Sequence, residues 1–135
     1  MNDNGSRMQH LNGPDMTLVF ARHLLSTVSK LYSGLRAMGI PAMFWPIILD
    51  LFISGEEGVK LSLSDVYLST PIPKATVLRT LARLVTSGHV IRYPDPRDGR
   101  RSLVMLSDDA RVAVGRLIDQ HATQILPEMG RSSTR

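Results

Sequence analysis

The chain has 135 residues, 43% of them hydrophobic and 21% charged, with a net charge of +4 and no cysteine. That length fits one domain with its own core, and the missing thiols exclude disulfides, thiolate metal sites, cysteine nucleophiles and thiol redox switching. No apolar run is long enough for a membrane span, and the start, MNDNGSRMQHLNGPD, lacks a signal-peptide core, so a cytoplasmic protein with no membrane partner is expected.

Residues 1–14 are polar and contain glycine, and a mobile terminus is expected there. Asp15 can cap a helix running from Met16 to about Met38, which Gly39-Ile40-Pro41 ends. Its apolar positions include Val19, Leu24, Leu25, Val28, Leu31, Tyr32 and Leu35. That face is wide for so small a domain, and a second subunit is expected to cover part of it. A second helix is predicted from about Met43 to Ile53, because Pro46 is tolerated only in a first turn. It offers Phe44, Ile47, Ile48, Leu51 and Phe52 to a core, with Trp45 beside them.

Ser54 to Lys60 reads as a loop, and Val59 to Leu61 as a short strand. Ser62 or Ser64 then caps a short helix through Ser69, with Asp65 favouring the positive end of that helix. After the turn Thr70-Pro71-Ile72-Pro73 comes an amphipathic helix. Val77, Leu78, Leu81, Leu84 and Val85 fall at the spacing of one buried face. Pro73 suits its first turn and Gly88 its left-handed end. The opposite side is expected to hold Lys74, Thr76, Arg79, Thr80 and Arg83, cations and hydroxyls without a carboxylate.

His89 to Tyr93 and Ser102 to Met105 are β-branched and aromatic, and read as a hairpin. The loop between them is longer than most hairpin loops and carries Arg97, Arg100 and Arg101 against Asp95 and Asp98. Between Lys74 and Arg101 seven cations face two carboxylates, a local charge of +5 that leaves −1 for the rest. Such placement is the footprint of polyanion binding. Ser107 caps a last helix with Val114, Leu117, Ile118, His121 and Ile125 near one face. Pro127 stops it, and 130–135 reads as a disordered tail.

Catalysis has little support. His10, His23, His89 and His121 are far apart with no metal-ligand spacing, and no phosphate loop or GxSxG is present. No enzyme, cofactor or metal is expected.

The run Asp95-Pro96-Arg97-Asp98-Gly99-Arg100-Arg101, followed by Leu106-Ser107, resembles the wing of MarR-type transcriptional regulators. Lys74-Ala75-Thr76-Val77-Leu78-Arg79 with Leu84 and Gly88 resembles their recognition helix. The likeness covers about Leu35 to Leu117. It implies a mainly α fold with a small β-hairpin wing, a winged helix-turn-helix with long N- and C-terminal dimerisation helices. Residues 15–129 then form one domain, with 43–106 as the DNA-binding lobe and 15–38 and 107–129 as the dimerisation helices. The chain departs from the family pattern at Pro71, where a glycine is usual, at Pro73, where a capping Ser or Thr is usual, and at Tyr67, where a small residue is usual.

The resemblance also implies site residues and partners. Lys74, Ala75, Thr76, Arg79 and Thr80 would face the major groove of duplex DNA, and Arg83, Arg97 and Arg101 the phosphates. Arg100 would enter the minor groove, with Asp98 bracing it. The expected protein is a homodimeric regulator, a repressor on a palindromic operator. An effector cleft lined by Tyr32, Trp45 and Tyr67 is a further expectation, its ligand unnamed. The alternative is a winged helix that binds protein, which would need apolar anchors where this helix shows cations.

Overall fold

Asp15 starts the first helix, α1 (Met16–Ala37), by accepting from the backbone N–H groups of Thr17 (3.1 Å) and Leu18 (3.3 Å). The computed structural model describes residues 15–125, with side chains through His121. The expectations for residues 1–14, for Pro127 and for the tail from 130 lie outside the described residues. Gly39, at φ +74°, turns the chain out of α1 as expected.

Pro41 and one turn of 3-10 helix, Ala42–Phe44, lead into α2 (Trp45–Glu57). Pro46 sits in the first turn, the place its missing N–H allows. The helix runs one turn beyond Ile53, so the predicted loop from Ser54 is corrected. Ser54 is buried, and its carbonyl accepts from Val59 (2.8 Å) once Gly58 takes a left-handed φ of +70°. Only then does the chain turn into β1 (Leu61–Ser62).

The short helix α3 (Leu63–Leu68) is held by a reciprocal cap. Ser62 Oγ accepts from the Asp65 N–H (3.0 Å), and Asp65 Oδ2 accepts from the Ser62 N–H (2.9 Å). Next come α4 (Lys74–Thr86), β2 (Val90–Pro94), β3 (Ser102–Leu106) and α5 (Asp108–Ile125). Pro73 precedes α4 as its cap residue instead of lying inside the first turn, and it offers no side-chain acceptor. Ser107 Oγ caps α5 by accepting from Ala110 (3.2 Å).

The three strands form an antiparallel sheet in the order β1-β3-β2. The core gathers under it: Leu35, Phe44, Ile48, Leu51, Val66, Val77, Leu84, Val90, Leu106 and Val114 are all nearly or fully buried. The fold is therefore mainly helical with a small sheet, as the winged-helix pattern requires.

The last helix turns part of its apolar face inward. Val114 and His121 are buried within the chain itself, 0% and 6% exposed. Helices α1 and α5 approach so closely that a Cβ placed on Gly34 would collide with Leu117. The first helix behaves otherwise: Leu18, Phe20, Leu24 and Leu25 are at least half exposed. Among described residues, unpartnered apolar surface thus concentrates on α1. No single described helix is long and apolar enough to cross a membrane.

Candidate nucleic-acid interface

Helix α4 has two sides. Val77, Thr80, Leu81 and Leu84 form its buried face. Lys74, Ala75, Arg79 and Arg83 are exposed, and Thr76 is half-buried. Thr80 is a correction. It is 7% exposed and lies three residues after Val77 and four before Leu84, on the core side of the helix, so it cannot reach a base edge. Val85, expected in the core, is 38% exposed instead.

The start of α4 has unpaired backbone donors. The Pro73 carbonyl accepts from Thr76 (2.9 Å) and Val77 (3.0 Å), and Pro73 lacks a side-chain acceptor for Lys74 or Ala75. Thr70 Oγ1 accepts from the Ile72 N–H (3.2 Å), which stiffens the turn between the two prolines. The Lys74 ammonium lies over the Tyr67 ring, 4.6 Å from its centroid.

The wing is two turns in tandem, each headed by an aspartate. The Asp95 carbonyl accepts from the Asp98 N–H (3.2 Å), and its Oδ1 from the Arg97 N–H (2.9 Å). Three residues on, the Asp98 carbonyl accepts from the Arg101 N–H (2.9 Å), and its Oδ1 from the Arg100 N–H (3.1 Å). The Asp95 N–H donates to the Arg101 carbonyl (2.9 Å) and closes the base. Short aspartate side chains stabilise turns in this way. Asp98 therefore holds the backbone of Arg100, while the Arg97 and Arg100 side chains stay exposed.

Arg101 is engaged. Its guanidinium is 3.7 Å from Asp65 Oδ2 and 3.9 Å from Asp95 Oδ2, with half of the side chain exposed. The bonds from Ser62, backbone first and then hydroxyl, hold the Asp65 carboxyl below its usual range, and Arg101 adds to that pull. The wing base is thus tied to the cap of α3.

Tyr32, Trp45 and Tyr67 line neither of two cavities beside the sheet. A cavity of about 160 Å³ lies between α4 and the sheet, lined by residues such as Leu78, Val85 and Arg92. Another of about 190 Å³ lies between the end of α2 and the sheet. Trp45 and Tyr67 pack against the core, and Tyr32 is 41% exposed. Among described residues no group of three His, Asp or Glu is placed to hold a metal ion.

An antiparallel sheet of this order, behind a helix-turn-helix whose second helix shows cations, defines a winged helix. Residues 39–101, a little under half of the chain, match the model of the MarR family. Solved structures agree on the fold. A mutant of S. aureus MepR bound to an oligodeoxyribonucleotide aligns with a TM-score of 0.65 at 18% identity, over 86% of this chain and 85% of that one. A mutant MarR from E. coli complexed with operator DNA gives 0.53 at 19%, over 89% and 82%. NadR in complex with 4-hydroxyphenylacetate gives 0.61 at 20%, over 92% and 87%. No curated protein matches the chain.

Proposed function

We propose that this chain is a sequence-specific duplex-DNA-binding transcriptional regulator, a cytoplasmic repressor that acts as a homodimer on a palindromic operator. The observation that carries the reading is the cationic outer face of α4 beside the wing. Lys74, Arg79 and Arg83 are exposed there, and among the described residues no ion pair neutralises them; the Arg97 and Arg100 side chains stand out from the hairpin. A cationic helix end fits a major groove, and arginine on a loop fits a narrow minor groove. The DNA-bound neighbours MepR and MarR support the same reading by likeness of fold.

In this reading Lys74, Ala75, Thr76 and Arg79 face bases, Arg83 and Arg97 face phosphates, and Arg100 enters the minor groove. Asp98 acts through the backbone. Arg101 braces the wing base with the half of its side chain that Asp65 and Asp95 engage, and its exposed half lies toward phosphate.

Dimerisation rests on α1. Leu24 (60% exposed) and Leu25 (69%) are the most exposed of its large apolar residues, and a second copy covers them in this reading. Two recognition helices then meet half-sites about one helical turn apart.

The test is a fluorescence-anisotropy titration of duplexes selected from a random pool, repeated across salt concentrations. Binding should weaken steeply with salt, at close to one unit of log–log slope per phosphate contacted. A flat salt response, or no binding at low salt, supports the protein-binding alternative. Sedimentation of Leu24→Lys should show a monomer where the parent is a dimer; an unchanged dimer would move the interface away from α1.

A further inference from the structure

We infer that Tyr67 is a positioning residue for DNA recognition, acting through Lys74, which it holds at the start of the recognition helix. The inference deepens the DNA-binding reading and rests on it.

The geometry is specific. Tyr67 lies in the last turn of α3 and Lys74 is the first residue of α4, so the contact spans the helix-turn-helix turn. Tyr67 packs against the hydrophobic core, and its ring carries the Lys74 ammonium 4.6 Å from the centroid. A cation at that distance over a tyrosine face is attracted by the ring quadrupole. Lys74 makes no ion pair among the described residues, so the ring orients its charge without neutralising it. A carboxylate in the same place would cancel the charge that a phosphate or a base edge must meet.

The need for such a partner is visible in the turn. Pro73 leaves α4 without a side-chain cap. A free lysine has many rotamers, and fixing one on binding costs entropy. The ring reduces that loss before DNA arrives. It also draws the positive charge to the end of the helix that already attracts anions. A small side chain at position 67 could not do this, because neither its length nor its electron density reaches the ammonium.

The test is a double-mutant cycle read as affinity for a selected duplex. Tyr67→Phe keeps the ring and should bind as the parent does. Tyr67→Leu keeps apolar bulk, loses the ring, and should weaken binding roughly two- to fivefold, the span expected of one exposed cation–π contact. In a Lys74→Gln background the same Tyr67→Leu change should have no further effect. Thermal melting checks that each variant folds. Independently of DNA, the Lys74 side-chain methylene proton signals should move upfield under the ring current in the parent and in Tyr67→Phe, and relax in Tyr67→Leu. Equal losses from Tyr67→Leu in both backgrounds would overturn the inference, since the residue would then act through packing alone. So would an unshifted Lys74 signal. Parent protein that fails to bind DNA at low salt overturns the DNA-binding reading and this inference with it; a parent that binds with no coupling between the two residues overturns this inference alone.

Discussion

Two glycines on crossing helices should respond to alanine with opposite signs. Gly34 lies within α1 and Gly115 within α5, and in an exposed helix interior either change to alanine gains about 1 kcal/mol of helix propensity. Packing then decides. A Cβ on Gly115 would meet the Phe52 ring at 3.4 and 3.7 Å, ordinary contact. A Cβ on Gly34 would lie 2.8 Å from Leu117 Cδ1 and 3.2 Å from its Cγ, with Cδ2 nearer still. A Leu tip can rotate, but Cγ moves only with the whole side chain, and overpacking of this kind costs about 1–3 kcal/mol. Gly115→Ala should therefore gain about 1 kcal/mol and Gly34→Ala should lose up to about 2 kcal/mol. At this chain length that is roughly 3–5 °C in Tm per kcal/mol, measured by circular dichroism at one fixed protein concentration. Leu117→Ala should remove most of the Gly34→Ala penalty when the two are combined, a coupling of the sort neighbouring sites show. A Gly34→Ala protein that melts at or above Gly115→Ala would refute the close crossing of α1 and α5.

Three further outcomes follow from the site. The Asp65 carboxyl is held below its ordinary value of 3.8, so its stabilising share is complete above that pH and lost as pH falls through the lowered folded value; Asp65→Asn should flatten that part of an acid-unfolding curve, and an unchanged curve would remove Asp65 from the account. Thr80→Val should leave affinity for a selected duplex within about twofold, while Arg79→Ala costs on the order of 1–3 kcal/mol and relaxes preference at one base position, as read in competition binding. Asp98→Ala removes a negative charge beside DNA, yet it should weaken binding because the Arg100 backbone loses its acceptor; tighter binding would mean that the wing contributes charge without fixed geometry.

Much of the fold was legible because its periods are strong. The apolar spacing in α4, the β-branched hairpin and the Ser62/Asp65 cap each announce their element within a few residues. Two misreadings have local causes. Thr80 looks like a surface residue by its chemical type, although its spacing from Val77 and Leu84 puts it inside. The last turn of α2, Ser54-Gly55-Glu56-Glu57, looks like loop by composition, and the helix persists because a left-handed Gly58 supplies its stop. The tandem wing turns are written in the spacing of Asp95 and Asp98, but a long hairpin loop reads simply as irregular. Other features lie beyond any local signal. Arg101 meets Asp65 because β3 pairs with β1, a matter of strand order. Tyr67 meets Lys74 because of the angle between two helices. The apolar stripe of α5 does not name what covers it, since periodicity alone cannot tell α1 from a partner.

Ser62 belongs to two elements at once. It ends β1, opposite Leu103, and its hydroxyl begins α3. No spare residue separates sheet from helix, so an insertion there would have to break either the strand pairing or the cap. The stretch 95–101 is different, since each of its turns closes on itself. Length changes over evolutionary time should therefore be rare at the junction and frequent at the wing tip. A lineage could alter how far its arginines reach along a groove without disturbing the helix that reads the bases.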